Sequence, residues 1–409
     1  MASPKLRFKE FDGDWSKFSI LDLSKDKTLN NGVFNDQNKV GKGYKLINVL
    51  DMYIERDIDE ARLSLLDIDS KEFERNKVRY GDIFFTRSSL VKEGIAFSNV
   101  YLGNANDVTY DGHLIKLSPD LERVNPLFLN FSLKTANARK QLIQGGKTAT
   151  MTTIGQKEVG SCQLDIPSKK EQIQIASFLS AVDEKVSQLT QKHMLLSQYK
   201  QGMMQKLFSQ QIRFKADDGG EFGEWEDIQL KDFLNLTLRP ISKPENNYHA
   251  LGVRSHFKGL FNKYNSEPEK ISMDTLYRVE KDDVVVNITF AWEGAMAIAK
   301  SEHDQGLVSH RFPTYRCDES SVHLLFFKYR FIQKDFLSHL QLCSPGGAGR
   351  NRVLNKKAFL EINFSKPCLE EQTKIANFLS AIDQKIEVVA NQIEHAKQWK
   401  KGLLQQMFV

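Results

Sequence analysis

Residues 167–208 of this chain come back as residues 367–408, an offset of 200 residues without a gap. Glu171, Gln172, Ile175, Ala176, Phe178, Leu179, Ser180, Ala181, Asp183 and Lys185 recur as Glu371, Gln372, Ile375, Ala376, Phe378, Leu379, Ser380, Ala381, Asp383 and Lys385. The far ends agree as well, Gln198, Lys200, Gly202, Gln205 and Phe208 returning as Gln398, Lys400, Gly402, Gln405 and Phe408. In the first copy Ile175, Leu179, Val182, Val186, Leu189, His193, Leu196, Lys200, Met203 and Leu207 step by alternating fours and threes. In the second the series is Ile375, Leu379, Ile382, Ile386, Val389, Ile393, Ala396, Lys400, Leu403 and Met407. A helix of 3.6 residues per turn keeps such a seam on one face only by coiling against a partner. From Ile175 to Leu207, at about 1.5 Å per residue, the seam is roughly 50 Å long. One heptad helix alone would be a homodimerisation device. Two matched copies in one chain, each after a globular segment, favour an intramolecular antiparallel pair of struts.

Both helices start alike. Pro167 and Pro367 fix an extended approach, Glu171 and Glu371 fall in the first turn where a negative charge suits the helix dipole, and Ser168 with Glu171 fits a capping box.

The duplication extends beyond the struts. Trp15, Phe18, Ile20 and Asp22 match Trp225, Ile228, Leu230 and Asp232. Tyr44, Ile47 and Val49 match Tyr248, Leu251 and Val253, and Val78, Asp82, Ile83 and Phe85 match Val279, Asp283, Val284 and Val286. Glu93-Gly94 meets Glu293-Gly294, His113 falls near His310, and Gly145-Gly146 near Gly346-Gly347. A repeat this large means duplication and pseudo-two-fold symmetry, not a solenoid of short units. Short β-branched runs at 81–86, 114–117, 283–289 and 295–299, broken by Gly, Asn and Asp, read as strands and turns. Helical patterning is confined to 126–142 and 322–342. The expected fold is therefore α+β: two similar globules with mainly antiparallel sheets, separated by two long helices. The boundaries expected are 1–166 for the first globule, 167–212 for the central helix, 213–366 for the second globule and 367–409 for the last helix.

With 409 residues there is room for two or three cores. No apolar run approaches the roughly 18 residues of a membrane span, and the N-terminus lacks a signal-peptide core, so a cytoplasmic protein is expected. Cys162, Cys317, Cys343 and Cys368 stand far apart without metal-ligand spacing and read as reduced packing residues, with no metal expected. A net charge of +5 permits an acidic partner without specifying one.

Catalytic motifs are absent. Gly146-Lys147-Thr148 resembles the end of a phosphate-binding loop, but Gln141 stands where the motif needs glycine. There is no dinucleotide G-x-G-x-x-G, no H-E-x-x-H, no G-x-S-x-G, and no Pro-Pro pair of the kind that amino-methyltransferases carry. What recurs is loop chemistry suited to nucleic acid. Lys147, Thr148 and Thr150 follow Gly145-Gly146, and Arg350, Asn351 and Arg352 follow Gly346-Gly347. Glycine lets backbone N–H groups approach phosphate, Lys and Arg neutralise it, and Arg and Asn can read guanine and adenine edges bidentately. Arg87, Ser88 and Lys92 leave one strand just before Glu93-Gly94, and Asn287, Thr289 and Trp292 leave its counterpart just before Glu293-Gly294. Arg254, Ser255 and His256 form a further set. The copies differ most at these loops while agreeing on framework and struts, as two readers of different sequences on one scaffold would.

On these residues the whole chain resembles the DNA specificity subunits of type I restriction–modification systems. The most specific points are the Pro-x-x-x-Glu-Gln-x-x-Ile-Ala-x-Phe-Leu starts at Pro167 and Pro367, the long helices that follow, and the W-x-x-Φ-x-Φ-x-D openings at Trp15 and Trp225, with Φ an apolar residue. The single prolines depart from the paired prolines frequent in relatives. The resemblance implies a non-catalytic subunit in which each globule is a target recognition domain reading half of a split, asymmetric site in double-stranded DNA. It implies two modification subunits, carrying S-adenosylmethionine and methylating adenine N6, and restriction subunits that use ATP and Mg. The alternatives from the residues alone are a two-headed protein scaffold and a stand-alone nuclease or methyltransferase.

Overall fold

The computed structural model describes residues 4–54, 56–148, 150–347 and 352–409, with only the backbone of Gln37. Arg350 and Asn351 therefore lie outside the described residues. The chain divides into two compact units, Met1–Lys192 with Val389–Val409, and His193–Val388.

The first unit contains an antiparallel four-stranded sheet in the order Ser24–Asn31, Leu114–Pro119, Ile83–Thr86, Ser98–Val100. A three-stranded sheet joins Ser64–Leu66, Val40–Ile47 and Val108–Tyr110, the last two parallel. Ser16–Ser19 pairs with Gln163–Ile166 and closes the globule at the point where the long helix Lys169–Phe208 departs. The second unit has the same plan. Its four-stranded sheet runs Leu234–Leu236, Thr314–Cys317, Val284–Val286, Met296–Ile298, and its second sheet has five strands with one parallel pair. Glu226–Gln229 pairs with Asn363–Lys366 just before the helix Leu369–Gln406. The sheets are mainly antiparallel, as the strand and turn pattern led us to expect.

The expected helical stretches are each split in two, Pro126–Leu133 and Ala136–Gly145, and Leu324–Phe331 and Lys334–Leu342. In the first pair Thr135 makes the break, its hydroxyl accepting the Ala138 N–H at the start of the next helix.

Each unit holds the early half of one long helix and the late half of the other. In the first, Ile175, Leu179 and Val182 share a core with Leu403, Met407 and Phe408. In the second, Met204 and Leu207 share a core with Ile375, Leu379 and Ile382. The two seam lysines are reciprocally paired, Lys400 with Asp183 and Lys200 with Asp383 at 2.5 Å. Early residues of one helix thus meet late residues of the other, which is antiparallel pairing. Val186, Leu189 and Val389 are buried, whereas His193, Leu196, Met203, Ile386, Ile393 and Ala396 are half-buried. Met204, one residue beyond the seam position Met203, takes the buried place.

The helix starts differ from expectation in one respect. The Ser168 hydroxyl does accept the Glu171 N–H, at 3.3 Å, but the Glu171 carboxylate does not close a capping box. It is 1% exposed and receives both Nε and Nη2 of Arg7 at 2.8 Å, with the Trp15 indole N–H at 3.3 Å. In the second unit Arg213 grips the fully buried Glu371 in the same way, at 3.1 and 2.7 Å. A carboxylate that must be buried takes a bidentate guanidinium in preference to its own backbone. The neighbouring Gln172 and Gln372 accept the N–H groups of Asn125 and His323, tying each helix to its globule. Of the four cysteines Cys162 and Cys317 are buried, Cys343 is half-buried, and Cys368 is exposed and so is no packing residue.

Candidate nucleic-acid interface

In the first unit the two candidate loops come together. Ser88–Ser89 pairs with Thr152–Thr153, which pairs with Lys147–Thr148, making a small three-stranded sheet from segments far apart in the chain. Arg87 sits between this sheet and the larger one. Its N–H donates to the His113 carbonyl at 2.9 Å, and its carbonyl accepts the Ile154 N–H at 3.0 Å. Arg87, Ser88, His113, Lys147 and Thr153 line a cleft of about 370 Å³. Arg87, Lys92, Lys147, Thr148 and Thr150 are exposed, and Ser88 is half-buried. Lys147 is 85% exposed, with Glu158 3.8 Å away, so its charge remains available to an anion. The turn carrying Lys92 is held from beneath by Arg139, which donates to the carbonyls of Glu93, Ile95 and Ala96 at 2.6–2.9 Å.

Two candidate sets and Arg352 of the third come together in the second unit. The hairpin turn 254–259 docks on the Trp292 turn: the Ser255 hydroxyl donates to the Glu293 carboxylate at 2.6 Å and the His256 N–H to the Glu293 carbonyl at 2.7 Å. His256 and Phe257 both adopt positive φ there, 59° and 55°. Arg254 is exposed and lies over the Phe261 ring, 5.2 Å from its centroid. The indole of Trp292 donates to the Thr289 carbonyl at 3.2 Å, and Arg352 stacks over its ring at 5.0 Å. Ser255 and Asn287 are occupied internally. Asn287 is 8% exposed and its side-chain oxygen accepts the Thr289 N–H, so it shapes the turn.

Each unit also has a buried carboxylate at an equivalent position, just ahead of the strand whose far end carries the candidate loop. Asp82 caps the Arg79 N–H and faces Lys116 at 3.7 Å. Burial pushes the Asp82 carboxyl up and the Lys116 ammonium down, each group's charge opposing the other's shift. Asp283 caps the Glu280 N–H and is held bidentately by Arg239, with Arg316 at 3.3 Å.

The strand register also refines the repeat. His113 bonds to Arg87 as Arg311 bonds to Ile288, each carbonyl accepting an N–H from the opposite strand, and Ile154 and Leu354 complete the pattern. The counterpart of His113 is thus Arg311, one residue beyond His310. Sequence reasoning missed Arg311, and it missed Arg7 and Arg213 as well. The tripeptide Arg-Phe-Lys at 7–9 and 213–215, ahead of each opening tryptophan, was the available signal for the last two. Among the described residues no group of three His, Cys, Asp or Glu side chains could hold a metal, and no helix is long and apolar enough to cross a membrane.

Fold and loops together define a class: a duplicated α+β module whose two copies share a framework and differ at one clustered loop surface. The family model for the type I restriction modification DNA specificity domain matches residues 13–195 and again residues 223–398, and the chain belongs to that family. It is 26% identical to the MjaX type I restriction enzyme specificity subunit of Methanocaldococcus jannaschii, over 98% of this chain and 94% of that protein. It is 28% identical to the EcoBI specificity subunit of Escherichia coli over 40% of this chain and 33% of that one. The fold is that of the S subunit of a type I restriction–modification system from M. genitalium, with a TM-score of 0.62 at 16% identity over 100% of this chain and 99% of that one.

Proposed function

We propose that this chain is the non-catalytic DNA specificity subunit of a type I restriction–modification complex and works in the cytoplasm. Each unit reads one half of a split, asymmetric site in double-stranded DNA. Two modification subunits carry S-adenosylmethionine and methylate one adenine N6 in each half, and restriction subunits supply ATP- and Mg-dependent cleavage. The observation that carries this reading is the double match to the specificity domain, one copy on each globule with its following helix. The loops agree with it chemically. Exposed Lys147, Arg87 and Lys92 suit phosphate, which fixes position and carries no sequence information. Arg352 stacked on Trp292 offers a directed guanidinium of the kind that reads base edges. Because an adenine must leave the stack to be methylated, position is what this subunit contributes and chemistry is left to its partner.

The test is to co-express the chain with its own modification subunit, expose plasmid DNA to the complex and S-adenosylmethionine, and map N6-methyladenine at single-base resolution. Methylation confined to one split motif and lost when this chain is omitted is the expected result. Methylation that is scattered, or independent of this chain, overturns the reading in favour of a two-headed protein scaffold.

A further inference from the structure

The register described above places His113 and Arg311 at one and the same turn of the two units, where the chain enters the strand beside each candidate loop. Both are solvent-facing, the His113 side chain being 65% exposed. Neither is loosely held. In the first unit a buried carboxylate, Asp111, accepts the His113 N–H at 2.6 Å and meets the ring Nδ1 at 2.8 Å, while its other oxygen accepts from Asn35. In the second unit Ser309, two residues before Arg311 as Asp111 is before His113, accepts the Arg311 N–H at 3.3 Å, and the guanidinium donates one hydrogen bond to the Thr289 hydroxyl at 3.3 Å. Asp111 thus shapes the turn through the backbone N–H and at the same time orients the exposed ring, and an oriented side chain facing solvent is what a fixed reader requires.

We propose that this turn is the specificity-determining position of each unit, with His113 and Arg311 contacting base edges; this rests on the DNA-reading function proposed above. The chemistry of the two differs in sign. A carboxylate only accepts, so the proton sits on Nδ1 facing Asp111, and Nε2, turned to solvent, is an acceptor in the uncharged form of the ring. An acceptor in the major groove pairs with an exocyclic amino group, that of cytosine N4 or adenine N6. Arg311 keeps donors beyond the one given to Thr289, a set that fits the O6 and N7 acceptors of guanine. Lys147 lines one cleft with His113, and Arg352 stacks on Trp292 of the same Thr289–Trp292 turn that Arg311 bonds, so each loop surface combines a second cation with one oriented, exchangeable side chain. On this reading the two halves of the site differ because equivalent positions carry an acceptor in one unit and donors in the other.

The experiment compares wild type, His113→Ala, His113→Gln, Arg311→Ala and Arg311→Lys in the complex with the modification subunit, mapping N6-methyladenine across a plasmid library with randomised sites at pH 8. Each His113 variant is expected to relax one position in one half of the motif, a cytosine or adenine in wild type, by roughly tenfold or more in discrimination. Each Arg311 variant is expected to relax one guanine in the other half. The half not read by the altered unit stays strict, which shows that the subunit is folded and assembled, and the conservative Gln and Lys variants cover the case in which an alanine variant does not assemble. A wild-type motif that survives every variant with all positions equally strict overturns the assignment and leaves the function standing. Absence of any split motif with wild type overturns the function itself.

Discussion

The two buried carboxylates that open the struts provide a matched experiment within one chain. Glu171 and Glu371 are both essentially inaccessible, and each is neutralised by one bidentate arginine. They differ in a third partner: Trp15 donates to Glu171 at 3.3 Å, whereas the buried indole nitrogen of Trp225 has no hydrogen-bond partner among the described residues. Replacing one member of a buried pair strands the other charge and costs about 3–5 kcal/mol. Arg7 and Arg213 are 16% and 19% exposed, so water reaches the rim of the site, which puts Arg213→Met at the lower end, about 3 kcal/mol. Arg7→Met leaves Glu171 the long tryptophan bond, a partial version of the roughly 1.5 kcal/mol of a charge-assisted hydrogen bond, so it should cost nearer 2 kcal/mol. Glu371→Gln added to Arg213→Met should recover most of the loss, because no charge is then buried alone. The assay is the urea dependence of amide hydrogen exchange read peptide by peptide, which scores each unit separately. The reasoning fails if Arg213→Met costs less than about 1 kcal/mol, the level of a surface pair. It also fails if Arg7→Met costs more than Arg213→Met, or if the double variant is as unstable as the single.

Three further outcomes are expected. Lys134, half-buried in the first unit, has its pKa lowered to about 8, chiefly by burial and secondarily by the charge of Lys400. The unfolded chain then binds the proton more tightly, so the group opposes folding below about pH 8 and the penalty fades as pH rises towards its ordinary value near 10.5. Lys134→Met should accordingly raise the stability of the first unit at pH 7 and lose that advantage by pH 10.5, as followed by amide exchange at the two pH values. Lys147→Ala should weaken DNA binding across all sequences and reduce the slope of log affinity against log salt by about 1, as measured by fluorescence anisotropy in a salt series; an unchanged slope removes Lys147 from the phosphate contacts. Gly294 has φ of 76°, and a Cβ there would stand 2.9 Å from the Phe257 ring. Gly294→Ala should therefore destabilise the Trp292 turn by about 1–2 kcal/mol and speed amide exchange in 288–295.

The repeat and the struts were legible because they depend on local periodicity and on residues compared at a constant offset. Lys200 and Lys400 stood out as polar members of apolar seams, and Asp183 recurred as Asp383, but that each lysine pairs with the aspartate of the other helix, 183 and more positions away, is shown only by the structure. The loop surface was legible only in pieces. That Ser88–Ser89 and Lys147–Thr148 share a strand partner depends on pairing across more than sixty positions, which no local pattern encodes. The same is true of Arg7 and Arg213, whose partners lie 164 and 158 residues away. His113 was matched to His310 by residue type, whereas backbone hydrogen bonds match it to Arg311. Where a position changes chemistry between copies, identity misleads and register decides. Arg350 and Asn351, the most inviting pair by composition, fall outside the described residues.

The division of the long helices between the two units sets an order of events during synthesis. The second unit is one uninterrupted stretch, His193–Val388, whereas the first needs Val389–Val409 as well. Phe408 packs on Phe128 and Trp15, and Leu403 and Met407 complete the same core. A nascent chain therefore has its first globule translated early yet left with an open apolar face until Leu403, Met407 and Phe408 leave the ribosome. The unit begun first is completed after the second, and a chain interrupted before Val389 leaves the first unit with an exposed core that quality control can recognise.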